Sequence, residues 1–328
     1  MDNLSTNGPC VLLADIGGTN ARFALADSSG VGSVEHARTA DFPGPAEAIS
    51  GFLHKSGRGR RVVAAALAAA GPVENGRTVV MTNSGWTIDA VALAAVLGTN
   101  EVGLLNDFEA LAWSLPVLPP KDLFPLGGKI SLAGAPMLVL GPGTGFGTSC
   151  LVSDGTAQVA IISEAGHATL AATSEREAHV IAHIRDRIGH VSVERALSGP
   201  GLENLYQAVA AIDGVNAPTR DAAAITEAAL NGSCAVCRAS LEMFCALLGS
   251  VAGNLAVTFC ARGGVFIAGG IAPRFPEFLH RSEFRARFEE KGRFHDYLAE
   301  IPAQVILKTD ATFLGLKAFL DRRAASPR

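Results

Sequence analysis

The stretch VGLLNDFEALA sets Asn106 and Asp107 where an apolar run passes into a helical pattern. In open α/β sheets that junction, at the carboxyl end of a strand, is where ligands bind. A carboxylate there can accept the proton of a hydroxyl as it attacks a phosphoryl group, or it can cap the helix that comes next. The residue types leave both readings open for Asp107. A second pair, Glu164 and His167 in IISEAGHATL, joins a carboxylate to an imidazole on one loop. Such groups suit adjacent sugar hydroxyls, each of which both donates and accepts. Glu-x-x-His can also ligate di-iron on bundle helices, but this copy contains a glycine, follows a β-run and occurs once, which argues against a metal.

A third carboxylate, Asp15, ends the apolar run of LLADIGGTNARFALAD and precedes a turn through Gly17, Gly18 and Thr19. The glycines lead into a second strand, so this is a hairpin loop and neither a P-loop nor a Rossmann turn, whose glycines open a helix. Glycines in a hairpin let backbone N–H groups approach phosphate oxygens closely, and the threonine adds a hydroxyl. Beside bare phosphate an aspartate would repel. With Mg²⁺ it becomes useful, because a hard cation takes carboxylate and water ligands and bridges to phosphate.

The same theme returns about one domain length later in LGPGTGFGTSCLVSDG, where Gly143, Thr144 and Gly145 form the turn. So long a period suggests a duplicated domain and not a solenoid. A third glycine element, GGVFIAGGIAPRF, runs from a buried strand into Gly269 and Gly270, whose flat backbone could face an adenine or ribose.

These loops need strands to hold them. Val11 to Asp15, Arg22 to Ala26, Val62 to Ala68 and Val102 to Leu105 read as strands, and Phe108 to Ser114 as a helix. Beyond LPVLPPKDLFPLGGK, which reads as a hinge or linker, the pattern restarts with Pro136 to Leu140 and Thr148 to Val152. A helix is expected from Ser174, with Glu177 completing a capping box. Its His179 and His183 share a face, and valine at 180 breaks the zinc-protease pattern, so they read as surface or packing residues. Glu194 looks like an ordinary surface acid.

With 328 residues, 48% hydrophobic and 18% charged, the chain can bury a large core and has a prior of about two domains. A net charge of −4 with scattered basic residues argues against nucleic acid as a partner. The N-terminus lacks a basic and apolar leader, and the run Val62 to Ala70 is too short to span a bilayer, so a cytoplasmic protein without membrane contact is expected. Six cysteines without a secretory signal read as reduced thiols; only Cys234 and Cys237 form a CxxC, with no second pair to complete a zinc set.

DIGGTNARFAL, LLNDFEALA, GPGTGFGTS, SEAGH, VERALSGPGLENLY and AGGIAPRF, in this order, resemble the bacterial ATP-dependent glucokinases of the hexokinase/actin-like ATPase superfamily, from Leu12 to about Gly315. The zinc-containing sugar-kinase branch shares the E-x-G-H element but follows it with cysteines, which ATLAATSERE lacks. The resemblance implies an α/β, two-domain actin-like ATPase (RNase H-like) fold, with a duplicated mixed sheet flanked by helices and a cleft between the domains. A small domain would comprise 1–117 and 306–328, its last helix Thr312 to Leu320 returning to it, and a large domain 118–305. The terminal AASPR is expected to fray.

The resemblance also assigns roles. Asp107 matches the base that takes the proton of the glucose 6-hydroxyl. Asn106, Glu164, His167 and Glu194 match residues that hold the other hydroxyls, and Asn83 in MTNSGW would line the same pocket. Ala14, Asp15, Ile16, Gly17, Gly18 and Thr19 match the first ATP phosphate loop, Gly143, Thr144 and Gly145 the second, and Gly269 and Gly270 the adenosine segment. Asp15 would hold Mg²⁺ through water. Ala165 stands where many relatives carry glycine, leaving both polar neighbours in place. The family usually forms homodimers, to which the apolar helix through Leu241 to Ala256 could contribute, although core burial explains that helix as well. A kinase for another hexose, a non-enzymatic actin-like ATPase and a sugar-sensing regulator are the competing readings; the last would usually carry a helix-turn-helix, for which few residues precede the first strand.

Overall fold

The computed structural model describes residues 8–57, 60–81, 84–129 and 131–325. The chain divides into two compact units, Met1–Pro119 with Lys308–Arg328, and Pro120–Leu307.

In the first unit the strands are β1 (Cys10–Ile16), β2 (Asn20–Asp27), β3 (Gly30–Val31), β4 (Glu35–Arg38), β5 (Val62–Ala69), β6 (Thr78–Val80), β7 (Thr87–Asp89) and β8 (Val102–Asn106). The main sheet runs β3-β2-β1-β5-β8, with β4 also pairing β2, while β6 and β7 form a small ribbon. β1 and β2 make the expected antiparallel hairpin, and β1, β5 and β8 are parallel. β5, VVAAALAA, is the long apolar run of the sequence, and its interior position explains the lack of alternation, because parallel strands are covered on both faces.

Register fixes which residues become neighbours. Asp15 pairs with Arg22 across the hairpin and with Ala68 on β5; Ile16 pairs with Ala69, which pairs with Asn106. Asp15 and Asp107 therefore share the carboxyl edge of three parallel strands.

The helix Asp107–Ser114 that leaves β8 has Asn106 as its N-cap, and the capping box closes when Glu109 reaches back to the Asn106 N–H at 3.2 Å. Against its far side lies the C-terminal helix Ala311–Ala325. The two approach so closely at Gly315 that a Cβ there would overlap the carbonyl oxygen of Ala110. The expected fraying of AASPR concerns Ala324 and Ala325, which are helical, and Ser326 to Arg328, which lie outside the described residues.

The second unit has strands β9 (Leu123–Gly127), β10 (Met137–Pro142), β11 (Phe146–Ser153), β12 (Gln158–Ser163), β13 (Gly264–Ile267) and β14 (Ala303–Ile306), in the order β12-β11-β10-β13-β14-β9. β10 stands to β11 and β13 as β1 stands to β2 and β5, with an antiparallel hairpin on one side and a parallel neighbour on the other. The repeat seen in the sequence is thus a repeat of topology. It is not a perfect one: four residues separate the paired Ile16 and Ala21, and three separate Pro142 and Phe146.

Part of the expected linker, Leu123–Gly127, is the edge strand β9, antiparallel to β14. Leu126 is buried there, and an edge strand tolerates the proline at 125 that a central strand would not. The helix Ala235–Thr258 is long and apolar enough to cross a membrane, yet it is mostly buried within this unit's core. Packing against the helices Gly199–Ile212, Ala222–Leu230 and Phe284–Glu289 accounts for its composition.

Candidate active site

In the first unit the chemistry gathers around two carboxylates. Asp107 is the first residue of its helix and not the cap; Asn106 Oδ1 takes the N–H groups of Phe108 at 2.9 Å and Glu109 at 3.4 Å. Relieved of capping, the Asp107 carboxylate accepts the adjoining Phe108 N–H, also at 2.9 Å. Burial pushes its pKa up to about 6, opposed by the Phe108 N–H and reinforced by the negative charge of Asp15. A carboxyl titrating near neutrality is suited to exchanging protons at working pH.

Asn106 has less to offer a ligand than its residue type suggests. Its carbonyl is engaged by the cap, Nδ2 donates to Gly71 O at 3.2 Å, and the side chain also hydrogen-bonds the Asp107 carboxylate. Asn83 lies outside the described residues.

Asp15 is held by an ion pair with Arg22, whose guanidinium also donates to Thr309 O at 2.9 Å. Burial still raises the Asp15 pKa above the ordinary value, against the lowering by Arg22. Ala14 and Ile16 are fully buried and offer a ligand no surface, whereas Asp15, Gly17 and Gly18 are half-buried and Thr19 is exposed.

The turn beyond them is fixed by three hydrogen bonds: Gly17 N to Asn20 O at 2.9 Å, Thr39 N to Thr19 O at 3.0 Å and Thr39 Oγ1 to Gly18 O at 2.9 Å. Gly18 and Thr19 open on a hollow of about 400 Å³ bordered by Arg38, Thr39 and Trp86. Arg38 and Thr39 carried no signal in the sequence, because β4 reaches the turn only through its pairing with β2.

In the second unit, Glu164, His167 and Glu194 come together around one backbone crossing. Glu164 precedes a short 3-10 turn and His167 ends it, with Oε2 and Nε2 3.8 Å apart and side chains 74% and 66% exposed. The Glu194 N–H donates to Gly166 O at 2.9 Å, and Glu194 Oε2 accepts the Phe146 N–H at 2.9 Å. Glu194 is therefore no surface acid. It ties the E-x-G-H loop to the second glycine hairpin, and one carboxylate oxygen is left for a ligand.

Gly145 keeps this crossing open, since a Cβ on it would lie 2.5 Å from Glu194 Oε2 and displace that side chain. Gly145→Ala is accordingly expected to push Glu194 off the Phe146 N–H and to destabilise the fold by about 1 kcal/mol, the cost of one lost hydrogen bond. Denaturant melts of the two proteins would measure the difference.

A cavity of about 860 Å³ in this unit is lined by Gly143, Thr144 and Gly270, with the helix Ala222–Leu230 along one wall and Arg274 and Phe275 at the other. Of the glycines assigned to a nucleotide, Gly143 and Gly270 reach this space. Gly145 instead faces Glu194. Gly269 has a φ of +84° and sits against the backbone of Pro142, so its lack of a Cβ lets the ends of β10 and β13 meet. Gly141, at the place Asp15 holds in the first hairpin, has no room for a side chain against Ala268. Only one hairpin can carry the acid. The alanine-rich wall DAAAITEAAL escaped sequence reading because nothing in it but helical spacing distinguishes it from a core helix.

The remaining candidates fall outside these clusters. His179 is exposed and His183 half-buried on the helix Glu175–Ile188. Ser174 caps that helix as expected, accepting from the Glu177 N–H at 3.2 Å, but the box does not close. The Glu177 carboxylate accepts the Thr173 N–H at 2.8 Å and pairs with Arg287 at 2.7 Å instead, which keeps a buried carboxylate neutralised.

A family model for glucokinase matches residues 12–323. The glucokinase of Paramagnetospirillum magneticum is 45% identical over 309 residues, covering 93% of this chain and 96% of that protein. A crystal structure of glucokinase from an Antarctic psychrotroph superposes with a TM-score of 0.89 at 36% identity, over 95% of this chain and 98% of that one. A ROK-family glucokinase from Streptomyces griseus, solved with glucose and AMPPNP, shares the fold with a TM-score of 0.62 at 20% identity, over 94% and 97% of the two chains. The duplicated hairpin-and-parallel-strand sheets are those of the actin-like ATPase fold, and the chain belongs to the glucokinase family.

Proposed function

We propose that the protein transfers the γ-phosphoryl group of Mg-ATP to the 6-hydroxyl of glucose, giving glucose 6-phosphate and ADP, with Asp107 as the base. The observation that carries this reading is the Asp107 carboxyl itself, freed from capping by Asn106 and raised to about 6 at the carboxyl edge of the parallel strands. As the hydroxyl attacks, Asp107 takes its proton; the remainder of catalysis is positioning and charge neutralisation. Glu164, His167, Glu194 and Asn106 would hold the other hydroxyls, with Asn83 as a further contact. The backbones of Gly17 to Thr19 and of Gly143 and Thr144 would hold the phosphates, and Gly270 the adenosine end. The glucose and AMPPNP bound to the Streptomyces griseus protein support both ligands.

Magnesium would arrive with the nucleotide. Among the described residues no group of three or more His, Cys, Asp or Glu forms a metal cage. Asp15 offers a single carboxylate already paired with Arg22, so a water between it and the cation fits better than direct coordination.

The test is to follow ADP release with Mg-ATP and a panel of hexoses. Release that depends on glucose supports the reading; a faster reaction with another hexose would replace the substrate, and release independent of any sugar would favour a plain ATPase. Glu194→Gln sharpens it. The amide carbonyl can still accept the Phe146 N–H, while the oxygen left for a hydroxyl becomes an NH₂. The KM for glucose should rise about 10- to 100-fold, the cost of one charged hydrogen bond, with the KM for ATP unchanged. An unchanged KM for glucose would remove Glu194 from the sugar site. The family resemblance extends the reading to a cytoplasmic homodimer; light scattering that returned a monomer mass would remove the dimer.

A further inference from the structure

The CxxC pair of the second unit takes no part in the proposed reaction. Cys234 is the N-cap of the 24-residue helix Ala235–Thr258, and its Sγ accepts the Cys237 N–H at 3.4 Å. The residues leading to it, Asn231 to Ser233, are exposed, Cys234 is half-buried, and Cys237 is fully buried beneath it. The two thiols hydrogen-bond each other, and Arg220 faces both. The Cys237 N–H holds the Cys234 thiol below its ordinary pKa, whereas burial pushes Cys237 up to about 11. A half-buried thiol at a helix start over a fully buried partner one turn on is the arrangement of a dithiol redox centre.

We propose that Cys234 and Cys237 form a reversible dithiol–disulfide couple oxidised by peroxides, with Cys234 as the attacking sulfur and Cys237 as the resolving one. In the first step Cys234 Sγ bonds to one peroxide oxygen as the O–O bond breaks. The departing hydroxide takes up the thiol proton as water, leaving a sulfenic acid. Cys237 then loses its proton and bonds to Cys234 Sγ, and the S–O bond breaks to release a second water. Two thiols lose two electrons in all, and peroxide gains them. A dithiol reductant reverses the change by exchange.

The protein carries its own controls. Cys260 is exposed but lacks a cysteine partner among the described residues, while Cys10, Cys150 and Cys245 are buried. Treatment of the whole protein with stoichiometric hydrogen peroxide, followed by iodoacetamide and peptide mass spectrometry, should give a peptide containing both cysteines that is lighter by two hydrogens. Dithiothreitol should restore it, and Cys260 should stay alkylatable. Untreated Cys234 should alkylate about tenfold faster than Cys260. In Cys237→Ser, which leaves the capping sulfur in place, dimedone should trap a sulfenic acid on Cys234. The proposal fails if Cys260 oxidises first, if Cys234 alkylates no faster than Cys260, or if Cys234 passes to a sulfinic acid without pairing. None of these readouts depends on glucose phosphorylation, so the couple and the proposed function stand or fall separately.

Discussion

Asp107→Asn should lower kcat for glucose phosphorylation about 10²- to 10⁴-fold, the range for loss of a general base, while the KM values change little. The substitution spares the helix, because the cap belongs to Asn106 and Glu109. It should also stabilise the fold at neutral pH. Burial raises the folded-state pKa of Asp107 to about 6, so the favourable protonated form is fully present below the ordinary carboxylate value and is lost as pH rises toward 6 and beyond. At pH 7 the wild-type protein thus carries a destabilising charge, worth on the order of 3 kcal/mol, that asparagine removes. Denaturant melts at pH 4 and pH 7 should show a gain for the variant at pH 7 only. The same titration predicts that wild-type kcat/KM falls as pH drops through about 6, a limb that Asp107→Asn should abolish from whatever activity remains. A variant with near-normal turnover would show that another group takes the proton.

The second large effect concerns a residue outside the proposed site. Gly315→Ala places a methyl group into the carbonyl oxygen of Ala110, one turn along the helix that begins with Asp107. Backbone cannot yield as a flexible side chain would, so the C-terminal helix must move outward. The expected cost is about 3 kcal/mol, at the upper end for overpacking. Helix Asp107–Ser114 would shift with it, and kcat should fall further than KM rises, since proton transfer depends on distance more steeply than binding does. Urea melts and kinetics on the folded fraction separate the two effects. Unchanged stability would mean that this helix contact is looser than the structure has it.

Much of the machinery that positions these groups could be read from short stretches of chain. The hairpin around Gly17 and Gly18, the buried strand of Val62–Ala69 and the helix after Asn106 follow from apolar runs, glycines and a capping residue, which act over a few neighbouring residues. The second hairpin was visible for the same reason, and the repetition of topology around it was implied by the repetition of sequence.

Function for individual polar residues was less legible. Asp107 read equally well as helix cap or as base until the backbone bonds of Phe108 and Glu109 assigned the cap to Asn106. Glu194 could pass for a surface acid because its partner, the Phe146 N–H, is distant in sequence. The expected linker hid an edge strand because β9 needs β14, nearly two hundred residues later, to be a strand at all.

By itself, then, the sequence determined the family, the two glycine hairpins and the identities of the carboxylates, since these depend on residue type and local spacing. Only the tertiary structure decided which carboxylates lie together, which polar groups are already engaged, and that Gly145 and Gly315 leave room for a neighbour's atoms. Desolvation and close packing are set by atoms that meet across the fold, and no local pattern records them.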